Sequence, residues 1–467
     1  MRYMSLGGAP DEIGASCHYV EIDGTGILLD AGADPEEEGF ESVPDLALVP
    51  ERADGYVDHA VVTHAHHDHI GSLPVVLREF PHVHVHMTDA TRELSDLLLP
   101  ASARLQRRKM MEGESDADPI FDEDDVQAVS YLYFTHELEV PFDLTGLKGG
   151  TKVTGTLYDA GHVLGSAGVL LEWDEDGRRR SLFYTGDTGQ TSQAVLPGAD
   201  YPEGPVDIML LESTLAADPI TETISRRDEE ERLGESIAAV LDRGGTVLLP
   251  VFSLGRSQEI LALIDRYKKR GLVDDDIPVY TAGMMRAISD IYDRTRFTTP
   301  RVDDEFKVYD VDQSRLPRSS SALSDVLKKP GIIAVGSGMM FESTISNRIA
   351  RQLIEDEKNG VFLVGYARHD SPAHKLLDAR LEGPGTEVEL SRVKGPQPVN
   401  CTVDRFRFSG HSNRRQLLEL VERMKPKTII LVHGEPEARD WMADNIRYFH
   451  PETDIWVPDR GEIITVK

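Results

Sequence analysis

His64-Ala65-His66-His67-Asp68-His69 is the stretch whose reading decides the fold of this chain. It directly follows the apolar run Ala60-Val61-Val62, which reads as a buried strand ending in a ligand-bearing loop. Imidazole is the commonest metal ligand, and together with carboxylate it suits zinc or another first-row divalent ion. A merely solvated loop gives no reason to use imidazoles in place of Lys or Glu, nor to embed an acid among them. The cluster therefore predicts a metal site, and the remaining ligands must come from elsewhere in the chain.

At 467 residues the chain is long enough for two or three domains of about 100–200 residues each. No apolar run approaches the roughly 20 residues of a membrane helix, and the N-terminus lacks the basic start and apolar stretch of a signal peptide. A cytoplasmic protein without membrane association is expected. Cys17 and Cys401 are too few for a disulfide framework, lack the spacing of a zinc or redox motif, and read as packing residues. Acidic residues number 81 against 50 basic, a net charge of −31, spread between well-patterned segments along the whole length. That distribution suggests a surface adapted to high salt, which screens the self-repulsion. Such a charge ordinarily argues against a nucleic-acid partner, but in concentrated salt the electrostatic part of that binding is already weak.

Upstream of the histidine cluster, residues 1–6, 17–22 and 27–30 read as short strands, the last two joined by the turn Asp23-Gly24-Thr25-Gly26. The third ends in Asp30, which reads either as a hydrogen-bond partner for a ligand imidazole or as a turn former. Downstream, residues 73–79 read as a helix and 82–86 as a strand. His82, His84 and His86 alternate with valines, so a half-exposed sheet face explains them and they are left outside the site. Residues 90–127 read as helical and charged, broken by an acidic loop at 113–119. Strands are expected at 151–158, 168–173 and 181–184. One leads into Asp159-Ala160-Gly161-His162 and another ends in Tyr184-Thr185-Gly186-Asp187, each with a glycine that permits a tight turn beside the polar residue. A further strand at 206–211 delivers Glu212-Ser213-Thr214.

From about residue 228 the pattern changes to alternating helices (230–242, 258–269) and apolar strands (246–252, 277–280, 331–335, 361–365), an α/β region with a parallel sheet. The loops Ser253-Leu254-Gly255-Arg256, Gly336-Ser337-Gly338-Met339-Met340 and Gly365-Tyr366 come after strand ends, where open parallel sheets bind ligands and helix N-termini suit phosphate. None is a Walker-type loop. Residues 406–409 then read as a strand before Gly410-His411-Ser412-Asn413. Ser412 or Asn413 can cap a helix over 415–424, and a strand at 428–432 ends in His433-Gly434-Glu435. Two more histidines thus sit at strand ends, far from the first cluster in sequence.

Taken together these residues resemble the metallo-β-lactamase superfamily and, more narrowly, its β-CASP nucleases, which include the cleavage and polyadenylation factor nucleases and ribonuclease J. The likeness is carried by the cluster at 64–69, His162 in Gly161-His162-Val163-Leu164-Gly165-Ser166, Asp187 in Thr185-Gly186-Asp187, Glu212-Ser213-Thr214, His411 in Phe408-Ser409-Gly410-His411, and His433 in Leu431-Val432-His433-Gly434-Glu435. It covers nearly the whole chain, and the His411 and His433 elements separate β-CASP nucleases from small-molecule hydrolases of the superfamily.

The resemblance implies an α/β fold: an αββα sandwich from residues 1–212 and 395–467, interrupted by a β-CASP domain at 213–394. It implies that His64, His66 and His162 hold one Zn2+ and Asp68, His69 and His433 a second, with Asp187 bridging and Mn2+ as the alternative metal. His411 and Glu212 would be the acid–base elements, and Asp68 is counted as catalytic as well as a ligand. Leu215-Ala216 stands where the family usually has Tyr-Gly, and Asp370-Ser371 where it often has Gly-Thr. These departures bear on phosphate contacts, for which Arg256, Ser337, Ser371, His369 and His374 are the candidates. The implied activity is hydrolysis of RNA phosphodiester bonds, internally or from the 5′ end, with a DNA nuclease or a small-molecule hydrolase as alternatives. The expected partner is single-stranded RNA, and a homodimer is compatible with the reading.

Overall fold

Along Ile208–Glu212 the side chains alternate between two apolar cores: Ile208 and Leu210 enter one, Met209 and Leu211 the other. The neighbouring strands do the same, with Leu182 opposed to Phe183, and Ile430 and Val432 opposed to Ile429 and Leu431. A period of two with apolar residues on both faces is the signature of a sheet covered on both sides. The computed structural model describes residues 1–8 and 14–466.

This sheet runs in the order Asp454–Trp456, Thr428–Val432, Ile208–Glu212, Arg178–Tyr184, Ala167–Glu175, Val153–Asp159, Phe142–Asp143. A second seven-stranded sheet runs Ile463–Thr465, Arg2–Gly7, Cys17–Ile22, Thr25–Leu29, His59–Val61, His84–Met87, Tyr133–Thr135. Between them Tyr3, Val20, Ile27, Leu29 and Val61 pack with Leu171, Trp173, Leu182 and Tyr184. Helices Arg414–Met424 and Pro436–Phe449 cover the outer face of the first sheet through Leu417, Leu420, Met442 and Ile446. Helices Leu73–Glu79 and Asp89–Glu112 come after strands of the other sheet, with Leu73, Val76, Leu94 and Leu99 buried. The result is the expected αββα sandwich. Cys17 and Cys401 are free and buried.

Two units emerge: Met1–Ser192 with Gly198–Glu222 and His411–Lys467, and Gln193–Pro197 with Thr223–Gly410. By this division the chain leaves the sandwich at residue 223 and returns at 411, later than the 213 and 395 read from sequence. The later return has a specific cause. Strand Thr402–Phe406, expected instead over 406–409, pairs in parallel with Gly360–Val364 and so completes the second unit's sheet. That sheet runs Ser314–Arg315, Val279–Ala282, Gly331–Val335, Thr246–Pro250, Gly360–Val364, Thr402–Phe406, with every pairing parallel. Its central strands are buried throughout, as near-continuous apolar runs require. Among the described residues no helix is long and apolar enough to cross a membrane.

Candidate metal centre

Strand His59–Val61 ends just before His64, and the loop is fixed through its own backbone. The carbonyls of His67, Asp68 and His69 accept from Ala33, Ser16 and Ala31 at 2.9–3.0 Å, which pins the short helix His67–Ile70 against the preceding strand ends. The later ligand candidates arrive on tight turns. Gly161 has φ +64°, and a Cβ there would lie 2.4 Å from the Gly189 carbonyl oxygen; Gly186 has φ +53°, and a Cβ would lie 2.9 Å from the Thr63 side chain. His433 itself has φ +47°, a conformation that costs a non-glycine residue on the order of 1 kcal/mol.

The structure brings together all seven ligand candidates, in two sets that share Asp187. In the first, Nδ1 of His66 lies 3.1 Å from Nε2 of His64 and 3.2 Å from Nε2 of His162, and both Nε2 atoms are 3.6 Å from Asp187 Oδ2. In the second, His69 Nε2 lies 3.4 Å from Asp187 Oδ1 and 3.9 Å from Asp68 Oδ2, which is 3.4 Å from His433 Nε2. Asp187 thus turns one oxygen to each set. Ligands at about 2.0–2.2 Å from one tetrahedral ion stand roughly 3.3–3.6 Å apart; four of these separations lie in that range and the other three, 3.1, 3.2 and 3.9 Å, lie just outside it. Two further signs agree: His69 Nε2 and Asp187 Oδ1 are buried with no hydrogen-bond partner among the described residues.

Electrostatics point the same way. Burial lowers the pKa of His64 and of His66, which keeps their imidazoles neutral and able to donate a lone pair. Burial opposes charge on His69 as well, but the Asp187, Asp30 and Asp68 carboxylates override it and hold that imidazole well above its ordinary range. Burial likewise works against ionised Asp187, and His433 and His69 override it, holding the carboxyl well below the usual range. A pocket that draws a proton between carboxylates is one that a divalent cation can fill. Asp30 takes the first of its two sequence readings: its Oδ2 accepts from His69 Nδ1 at 2.8 Å and from Tyr184 at 2.8 Å, which turns Nε2 toward the pocket.

Beside the two sets, Nδ1 of His411 lies 3.1 and 3.2 Å from the oxygens of Glu212, while its Nε2 is 3.9 Å from Asp187 Oδ2. Glu212 is fully buried and also accepts from the Thr188 backbone at 2.8 Å. Burial would depress the His411 pKa; Glu212 and Asp187 outweigh it and raise the pKa to about 9. Ser412 and Asn413 anchor the backbone beside His411. Asn413 caps helix Arg414–Met424 in a reciprocal pair with Gln416, and Ser412 binds Thr188 and Gln190.

The phosphate candidates all lie in the second unit. Arg256 opens helix Arg256–Lys269, and its Nη1, like the Ser337 Oγ, is buried without a hydrogen-bond partner among the described residues. Ser371 has a local task instead: it caps helix Pro372–Glu382, accepting from the His374 N–H and donating to the Arg368 carbonyl. His369 and His374 contact each other, with nitrogens 3.1 Å apart. Thr214 and Tyr184, whose hydroxyls reach Glu212 and Asp30, carry no role in the sequence reading; only a polar residue near a ligand could have hinted at either.

An αββα sandwich with such donors at its strand ends defines a class of protein able to hold metal there. Three family models match it: the metallo-beta-lactamase superfamily at residues 10–235, the Beta-Casp domain at 257–376, and the Zn-dependent metallo-hydrolase RNA specificity domain at 396–458. The chain belongs to the β-CASP family of the metallo-β-lactamase superfamily. Endoribonuclease YSH1 of Candida glabrata is 29% identical over 452 residues, covering 93% of this chain and 55% of its own. An RNase J-like protein of Methanocaldococcus jannaschii is 27% identical over 474 residues, covering 100% of both. The chain spans about half the length of the fungal relatives. Among solved structures, a protein of unknown function from Enterococcus faecalis shares the fold, with a TM-score of 0.58 at 13% identity over 100% of this chain and 99% of that one.

Proposed function

We propose that this chain is a metal-dependent ribonuclease that hydrolyses RNA phosphodiester bonds, internally or from the 5′ end. The observation that carries the reading is the His411–Glu212 pair, set 3.9 Å from the carboxylate that both donor sets share. His64, His66 and His162 would hold one divalent cation, Asp68, His69 and His433 the other, with Asp187 facing both. Zinc or manganese bound there lowers the pKa of water toward neutrality and neutralises charge on the phosphorus oxygens.

Metal chemistry leaves the departing 3′-oxygen in need of a proton. Glu212 accepts the Nδ1 hydrogen of His411, which fixes the tautomer and aims Nε2 at the pocket. Nε2 donates that proton, a contribution of about 10²–10⁴-fold, and the products carry 5′-phosphate and 3′-hydroxyl ends. Asp68 joins the catalytic group because it completes the second set and remains a quarter exposed at the pocket. Arg256 and Ser337 are offered as phosphate contacts, on the strength of their unpaired buried donors. RNA as substrate draws support from the matched RNA specificity domain and from the names of the relatives. A small-molecule hydrolase would leave Glu212 and His411 idle.

The test is His411→Ala. Cleavage of labelled RNA should fall about 10²–10⁴-fold while metal content stays that of the wild type. Unchanged cleavage at normal metal content would overturn the assignment.

A further inference from the structure

Thr214 stands between the second donor set and the acid–base pair. Its Oγ1 is 2.5 Å from Glu212 Oε2 and 2.9 Å from Nδ1 of His433. A carboxylate only accepts, and a threonine hydroxyl has a single proton. That proton goes to Glu212, so the hydroxyl must accept from His433, whose Nδ1 then carries the hydrogen. Nδ1 also lies 3.3 Å from Asp187 Oδ1, yet that oxygen has no hydrogen-bond partner among the described residues. The in-plane direction at Nδ1 therefore points to Thr214. A lone pair on Nδ1 would point the same way, so the nitrogen left for a cation is Nε2, 3.4 Å from Asp68 Oδ2. Glu212 meanwhile accepts from Nδ1 of His411. One chain results: His433 donates to Thr214, Thr214 to Glu212, and His411 to the same carboxylate.

We propose that Thr214 is a positioning residue that fixes the tautomer of His433 and ties this metal ligand to the Glu212–His411 pair. The proposal rests on the reading of His433 as a ligand. It gives the second donor set and the acid–base imidazole a shared support, so that disturbing the hydroxyl affects both. Partners behind a ligand histidine are typically worth about 10–100-fold in metal affinity.

The experiment titrates metal-free wild type, Thr214→Val and Thr214→Ser with Zn2+ against a chromophoric chelator, without RNA. Valine keeps the branched shape and removes the hydroxyl; serine keeps the hydroxyl. The second zinc equivalent should weaken about 10–100-fold in Thr214→Val, the first should be unchanged, and Thr214→Ser should restore wild-type binding. Wild-type affinity for both equivalents in Thr214→Val, or failure of serine to restore it, overturns the proposal. Imidazole ¹⁵N shifts of the metal-free wild type read the tautomer directly and stand even if the valine variant does not fold. A hydrogen on Nδ1 of His433 is expected, and a neutral ring that carries its hydrogen on Nε2 alone overturns the proposal. A wild type that binds two zinc ions and cuts no RNA counts against the ribonuclease reading alone.

Discussion

Asp187 turns Oδ2 toward His64 and His162 and Oδ1 toward His69, so a single side chain defines both halves of the pocket. Within the 64–69 cluster the division of labour is equally sharp. His66 meets two other imidazoles at 3.1–3.2 Å, whereas the His67 side chain is exposed and only its carbonyl takes part, accepting from Ala33 and Gly71. Hence His67→Ala should retain the wild-type metal content after dialysis, and His66→Ala should lose metal from the first set; equal retention in both would contradict the ligand assignment. Ligand candidates such as His162 and Asp187 were legible in sequence because each comes after a strand and sits beside a glycine. Asp30 was legible only as one of two readings, and Thr214 not at all, because their partners, His69 and His433, come from distant segments and meet them only in the folded chain.

Strands were readable wherever apolar residues alternate, as in Cys17–Ile22, or run on without interruption, as in Thr246–Pro250. The histidines at 82–86 show where pattern falls short. His84 lies on an exposed face as expected, but His86 is 5% exposed and bonds His59 at 3.0 Å and His136 at 2.9 Å, in a chain across adjacent elements. Alternation identified the face but not its cover, which comes from the Phe142 and His136 rings some fifty residues on. Burial, with the neighbouring imidazoles His59 and His136, lowers the His86 pKa to about 2. Below pH ~6.5 the unfolded chain takes up a proton that the folded chain refuses, so stability falls with acidification across the window from about 6.5 to 2. Replacing the group removes that dependence. The stability difference between wild type and His86→Gln, from denaturant unfolding, should shift against the wild type by roughly 1.5 kcal/mol between about pH 6.5 and 5. A difference that stays constant would contradict a neutral buried His86.

For the whole molecule, the sandwich was legible through the family resemblance that the histidine and aspartate motifs carry, since the strand pattern alone does not say how the sheets are layered. The boundary of the second unit was harder, since Thr402–Phe406 could serve either sheet, and its pairing with Gly360–Val364 is a long-range choice. The net charge of −31 belongs to this scale as well. It opposes a polyanionic substrate at low salt, so on the proposed function RNA would be held by local contacts, and activity is best sought where salt screens the repulsion. The most direct measurement is cleavage of RNA labelled at either end, beside matched DNA, at molar KCl, with Zn2+ or Mn2+ supplied and with the metal chelated. The account predicts RNA fragments with 5′-phosphate and 3′-hydroxyl ends, lost on chelation and restored by metal. RNA left intact by protein that holds its metals, or DNA cut at least as fast, would contradict it.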